Sequence, residues 1–436
     1  MIKFCDYRIV FICLLLSISM DSFAEESDPT SDTFLSYFDF IGYALIGTGQ
    51  SSGGGTQARF QAPGARAGYR LGNEAHIGLE VGINFSYPLD ETQTKKIEAL
   101  FFIADFKSFS DEKLFYRDPI VDQAYIRFEK VFRPDLSVWL GRIFYDRKDV
   151  HMNDYFWLNT GQGANLGAGI ELDRLLGELK IAAFQLKDDD DILEKDIYSY
   201  SYDFRLLDIE LNQQHKLNLF AEYVHREGGD PLTVNGTSIK TDTKDGFGLA
   251  AWIDSKISDN ITNTVAIIYR QGAAFRQSNN NPNPVREDQG FDLDDAHYWE
   301  LNNNFVYDSD VYSIEWAAVI RSEDRGVNNN SDTQWYSTGV RPIVYLTDHF
   351  NIAIEAGIDY VDNDVLDVSG QVSKFTAALQ YSKSRGYYSR PVVRLFATKA
   401  YWSDDFEGLV GAGPGDAPFA NDTDGLTFGI QFEHWW

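Results

Sequence analysis

Cysteine is almost missing. The 436-residue chain has two, Cys5 and Cys13, so residues 25–436 carry none. This excludes disulfide staples and thiolate metal sites from nearly the whole chain. Long apolar runs are missing as well. The run from Ile9 to Leu16 falls well short of the about 20 residues that a spanning helix needs, and no later run reaches that length. Positive charge is scarce: 38 Lys and Arg stand against 66 Asp and Glu, for a net charge of −28. A nucleic-acid partner would need the opposite balance. Catalytic signatures are missing too. The seven histidines show no HExxH spacing, and no GxSxG, P-loop or dinucleotide fingerprint occurs. Asp188 to Asp191 lacks the glycine and terminal glutamate of a calcium loop and reads as a solvated loop. Carboxylates are too many for a glycosidase pair to stand out. The expectation is a chain with no catalytic residue, no metal and no cofactor, and not an enzyme.

The beginning reads as an export signal. Lys3 and Arg8 supply a basic start, Ile9 to Leu16 an apolar segment, and Ser22-Phe23-Ala24 small residues around a cleavage point after Ala24. Cys13 lies inside the apolar run, away from the cleavage point, which argues against a lipoprotein. Residues 1–24 are therefore expected to be a signal peptide and residues 25–436 one domain.

Aromatic residues are abundant: 24 Tyr, 31 Phe and 9 Trp. Their placement follows a period of two. From Asn351 to Val361, Ile352, Ile354, Ala356, Ile358 and Tyr360 share one face, and Asn351, Ala353, Glu355, Gly357 and Asp359 the other. Tyr312, Ile314, Trp316, Ala318 and Ile320 form another apolar face opposite Ser313 and Glu315. In the last strand Leu426, Phe428, Ile430, Phe432 and Trp436 share a face with His434, and Thr427, Gly429, Gln431, Glu433 and Trp435 the opposite one. Leu217 to Val224 alternates only in part, because Phe220 and Val224 break the polar face. Polar connections rich in Asn, Asp, Gly and Pro separate such stretches: Gly228 to Asp245, Gln277 to Asp295, Asn328 to Asp332 and Gly408 to Asp424. No solenoid or propeller repeat occurs. One cysteine-free, exported, all-β domain of this size predicts a transmembrane antiparallel β-barrel. Its apolar band is hidden in alternate residues, with Trp436 at the lipid interface.

Five segments, in order, carry a resemblance. They are Phe38-Asp39-Phe40-Ile41-Gly42-Tyr43-Ala44; Tyr69-Arg70-Leu71-Gly72-Asn73-Glu74; the stretch from Gly141 to Asp154, GRIFYDRKDVHMND; Ser389 to Thr398, SRPVVRLFAT; and Glu433-His434-Trp435-Trp436. They resemble the maltoporin family of sugar-selective outer-membrane porins, with residues 180–300 matching weakly. The resemblance implies an outer-membrane barrel of about 18 strands, a loop folded into the lumen and a homotrimer. It also implies passive diffusion of sugars, such as maltose, maltodextrins or related oligosaccharides, over an aromatic slide beside a polar track. Pyranose C–H faces stack on aromatic rings while hydroxyls need donors and acceptors, and a path of weak sites lets the sugar leave.

Carried over residue by residue, the resemblance places Tyr43, Tyr388 and Trp435 on the slide. Phe115 or Tyr116 would be the aromatic lent by a neighbouring subunit. The polar track and constriction take Arg70, Glu80, Arg147, Asp149, His151 and Asp154. Tyr155 or Phe156 would supply the constriction aromatic. Gly78 and Val265 fall where the family has slide aromatics, and Leu45 and Asp122 where it has arginines. Arg59 and Ala75 stand at the two positions of the family's loop disulfide. The track charges would alternatively brace the loop against the wall.

Three functions follow from this sequence. The first is the sugar channel. The second is a broader, cation-preferring porin, because two slide aromatics and two arginines have changed. The third, from another class, is a secreted carbohydrate-binding or glycoside-processing β-protein with its aromatics in a closed core.

Overall fold

The computed structural model describes residues 34–108, 120–174, 176–188, 197–234, 237–276, 290–327, 331–411 and 418–436. Expectations for residues 1–24, for Phe115 and Tyr116, and for Asp189 to Asp191 lie outside the described residues.

The strands in chain order are β1 (Phe38–Ser51), β2 (His76–Pro88), β3 (Lys96–Ser108), β4 (Ile120–Arg133), β5 (Leu136–Arg142), β6 (Lys148–Val150), β7 (Tyr155–Leu158), β8 (Leu166–Arg174), β9 (Gly177–Asp188), β10 (Ile197–Glu210) and β11 (His215–Arg226). They continue as β12 (Gly229–Val234), β13 (Thr237–Thr241), β14 (Lys244–Ser258), β15 (Ile261–Gly272), β16 (His297–Asp308), β17 (Tyr312–Asp324), β18 (Asp332–Tyr345), β19 (Phe350–Asn363), β20 (Val368–Ser382), β21 (Val392–Trp402) and β22 (Asp424–Trp435). β6 pairs with β7, and β12 with β13. The remaining strands form one 18-stranded sheet. Each pairs antiparallel with its chain neighbours, and β22 pairs back onto β1, so the sheet closes into a barrel without an edge. The connection between β11 and β14, read from the sequence as a polar loop, contains the β12–β13 hairpin.

Short turns such as 134–135, 259–260 and 346–349 lie at one end, together with the start of β1 and the end of β22. The long connections, such as 52–75, 143–165 and 403–423, lie at the other. Outer-membrane barrels place short turns on the periplasmic side and long loops outside.

Side-chain exposure follows the predicted parity. In β19, Ile352, Ile354, Ile358 and Tyr360 are exposed on the outer wall, and Asn351, Ala353, Glu355 and Asp359 are buried inside. β17 repeats this, with Tyr312 and Trp316 outside and Ser313 and Glu315 inside. Trp436 extends β22 through hydrogen bonds in both directions with Gly42. The partial alternation of β11 has a packing cause. Phe220 and Val224 point inward and are buried, and Phe220 lies in the same cluster as the loop residues Tyr155 and Trp157.

The core sits inside the barrel, because connections fold inward, two of them deeply. Residues 57–74 contribute Phe60 and Tyr69, and the 143–165 connection contributes Val150, Met152, Tyr155 and Trp157. Both sets pack against wall residues such as Trp252, Tyr298 and Trp335. Tyr69 enters a slot on the wall. Gly339 and Gly357 are directly paired, and a Cβ on either would overlap the Tyr69 ring. Its hydroxyl reaches Ser337 Oγ at 2.9 Å.

Candidate functional site: a lumen cavity between two inward loops

Tyr43 and Trp435 are directly paired residues on β1 and β22. Both face a lumen cavity of about 480 Å³, within the range that holds a small ligand. Phe106 from β3 and Phe156 from β7 add two more aromatic rings to its lining. The same cavity is lined by Arg70, Glu80, Asp122, Arg147, Asp149, His151 and Asp154.

The aromatic pair rests on an ion cluster centred on Glu433. Its carboxylate accepts hydrogen bonds from Arg70 at 3.0 Å, Arg394 at 2.6 Å and Arg390 Nε at 2.7 Å. Tyr43 donates to it at 3.3 Å and accepts from Arg70 at 3.1 Å. Arg70 also donates to Glu74 at 2.9 Å. The Arg390 guanidinium lies 4.3 Å from the Trp435 ring centroid, a cation–π contact that holds the indole in place.

The opposing wall is the loop after β5. β6 and β7 form a small hairpin within it, turned by Asp154 in the left-handed region at φ 54°. At its tip the His151 ring lies 5.8 Å from Trp435 and 5.3 Å from Tyr388, edge to face. Its two nitrogens face Arg70 at 3.4 Å and Arg390 at 3.3 Å. Guanidiniums only donate, so a proton on both nitrogens would put three cations in contact.

Arg147 lies between two phenyl rings, 3.9 Å from Phe144 and 4.8 Å from Phe156. It donates to Gln162 at 3.4 Å. Around it stand Glu80, Asp122, Asp149 and Asp154. Among the described residues, none of these four carboxylates makes an ion pair or a side-chain hydrogen bond. Of the other cations in the lining, Arg66 pairs with Glu323 and Arg70 with Glu433, while Arg59 makes no ion pair among the described residues. The cavity therefore presents more free negative than free positive charge.

The cavity brings together Tyr43, Trp435, Arg70, Glu80, Arg147, Asp149, His151, Asp154 and Phe156. Tyr388 is not in its lining. It lies in the connection between β20 and β21, about half exposed, on the other side of the His151 ring. Tyr155 is not in the lining either. It is 1% exposed, bonded to Glu300 and Arg321 behind the hairpin, because alternate residues of β7 point to opposite faces. Val265 faces outward beside Ile253, so a lumen aromatic is not what this position replaces. Leu45 is fully buried on the lumen side. Phe106 and Arg66 line the cavity without having been picked out, and so does Arg59, which stood out in the sequence only as a disulfide position of the family. Phe106 lies just beyond the apolar run 100–104, in which both faces of the strand read alike, so parity gave no signal.

Residues 38–436 match the family described as LamB porin. The chain belongs to this family, the maltoporins. It forms a porin channel of the bacterial outer membrane. Among solved structures, the porin is similar to OpdQ of Pseudomonas aeruginosa, at 8% identity over 92% of this chain and 98% of that one, with a TM-score of 0.47. A loop-deletion form of OmpT, an outer membrane protein of Vibrio cholerae, matches at 10% identity over 92% and 99%, with a TM-score of 0.42. A mutant of the Rh. blastica porin matches at 11% identity over 91% and 100%, with a TM-score of 0.38.

Proposed function

We propose that this porin carries out facilitated, passive diffusion of sugars, maltodextrins or related oligosaccharides, across the outer membrane. The observation that carries the reading is the division of one lumen cavity into two walls. Tyr43 and Trp435 stand side by side on the barrel wall, and Arg147, Asp149 and Asp154 line the same cavity from the inward loop. A pyranose face stacks on the first while its hydroxyls exchange water for the second. The chain works as a homotrimer after removal of residues 1–24.

A second reading is a broader, cation-preferring porin. It is favoured by the four carboxylates that line the cavity and that, among the described residues, have no ion-pair partner. In a narrow lumen with low-dielectric walls such charges bias which ions enter.

Single-channel current in planar bilayers separates the two. Concentration-dependent block by maltotriose and maltohexaose, with weak block by sucrose, supports the sugar path. An open current indifferent to all three sugars leaves the general porin.

A further inference from the structure

We infer that Phe106 is a sugar-stacking residue of this channel, the next aromatic surface after Trp435 and Tyr43, and that Gly78 is the specificity determinant that lets its ring lie there. The inference rests on the sugar-path reading above.

Tyr43 pairs with Glu80 across β1 and β2, and Leu45 pairs with Gly78. Gly78 in turn pairs with Phe106 across β2 and β3. Directly paired residues project to the same face of a sheet, so Tyr43, Glu80, Gly78 and Phe106 all point into the lumen. Phe106 lies two strands from Tyr43, roughly 10 Å across the wall, and two residues nearer the long-loop end. Trp435, Tyr43 and Phe106 thus form a rising line, with Glu80 between the last two to take a hydroxyl.

A Cβ on Gly78 would overlap the Phe106 ring, so the ring lies flat across the glycine. This differs from Phe102 on the same strand. Phe102 also lies against a glycine, Gly82, but is buried and packs against Phe144 at 6.3 Å. Phe106 stays 46% exposed although it is inside the barrel. Its described ring neighbour is His76 at 5.9 Å. A phenyl ring held flat, open on one face and lining a cavity that also holds carboxylates offers the apolar platform a pyranose requires. The alternative is wall packing, and Phe102 shows what that looks like here.

The test is current block by maltohexaose through the full-length porin in planar bilayers, for wild type, Phe106→Ala, Phe106→Tyr, Gly78→Ala and Trp435→Ala. Losing one stacking surface should raise the half-blocking concentration of Phe106→Ala by roughly twofold to tenfold. Phe106→Tyr should stay near wild type. Gly78→Ala should weaken block by displacing the ring, although residue 106 is unchanged. Should Phe106→Ala not insert, Phe106→Leu keeps the apolar bulk and should still lose block. Weakened block in Trp435→Ala with unchanged block in the Phe106 variants would overturn the assignment of Phe106 alone. A wild-type channel that no malto-oligosaccharide blocks would overturn the sugar path, and this inference with it.

Discussion

Arg70 and Glu433 meet at 3.0 Å although 363 residues separate them. One stands on the inward connection after β1 and the other on the last strand. Their pair fixes that connection to the wall beside Tyr43, whose hydroxyl contacts both. Glu433 also neutralises Arg390 and Arg394, so one carboxylate holds three guanidiniums. Breaking a buried pair by removing one partner costs about 3–5 kcal/mol. Glu433→Gln should therefore lower the thermal unfolding midpoint in detergent, and it should shift the reversal potential in a salt gradient toward anions.

Tyr69 and the glycine pair Gly339–Gly357 predict a steric effect. Gly357→Val puts atoms where the ring lies. Overpacking of this kind costs about 1–3 kcal/mol, and expulsion of Tyr69 should free the inward connection. The expected result is larger and noisier open-channel conductance. Tyr69→Phe loses only the hydrogen bond to Ser337, about 0.5–1.5 kcal/mol, and should conduct like wild type.

The free carboxylates of the cavity predict ion selectivity. The wild-type channel should prefer cations, and Asp149→Asn combined with Asp154→Asn should reduce that preference, as read from reversal potentials. The effect should be retained in part at high salt, because charges in a low-dielectric lumen are screened less than surface charges. Anion preference in the wild type would show that these groups do not control entry.

The periplasmic turn 89–95 predicts a pH effect. Asp90 accepts hydrogen bonds from the Thr94 hydroxyl at 2.6 Å, the Lys95 amide at 2.9 Å and the Thr92 hydroxyl at 2.9 Å. The Thr94 bond first, then the Lys95 amide, holds its carboxyl down at about 2. An unfolded aspartate titrates near 3.9. The folded pKa is the lower one, so the contribution to stability is complete above about 3.9 and is lost as pH falls through about 2. Carbon NMR of the Asp90 carboxyl should show the depressed titration, and Thr94→Val should move it up.

Barrel architecture was legible because lipid forces alternation on every strand it touches. The faces read from β17, β19 and β22 are the faces of the barrel. Alternation failed where the inside is also apolar. Phe220 and Val224 break the pattern because inward loops cover that stretch of wall, a contact between distant segments that no local pattern records. The same cause hid Phe106. Its strand reads Leu100-Phe101-Phe102-Ile103-Ala104 on both faces, and the open space over Gly78 exists only once β2 and β3 pair. At the loop tip, Tyr155 and Phe156 are neighbours in sequence but lie on opposite faces of a short hairpin, so only Phe156 reaches the cavity. Val265 needed the register of β15 to be placed outside.

A sugar path inside the channel makes transport saturable. The most direct test is the rate of maltotriose entry into liposomes carrying the purified porin, measured against maltotriose concentration. Sites in the lumen fill, so the rate should saturate, and Trp435→Ala should raise the concentration of half-saturation. A rate that climbs in proportion to concentration throughout, and is the same in Trp435→Ala, would rule out a sugar path in the lumen.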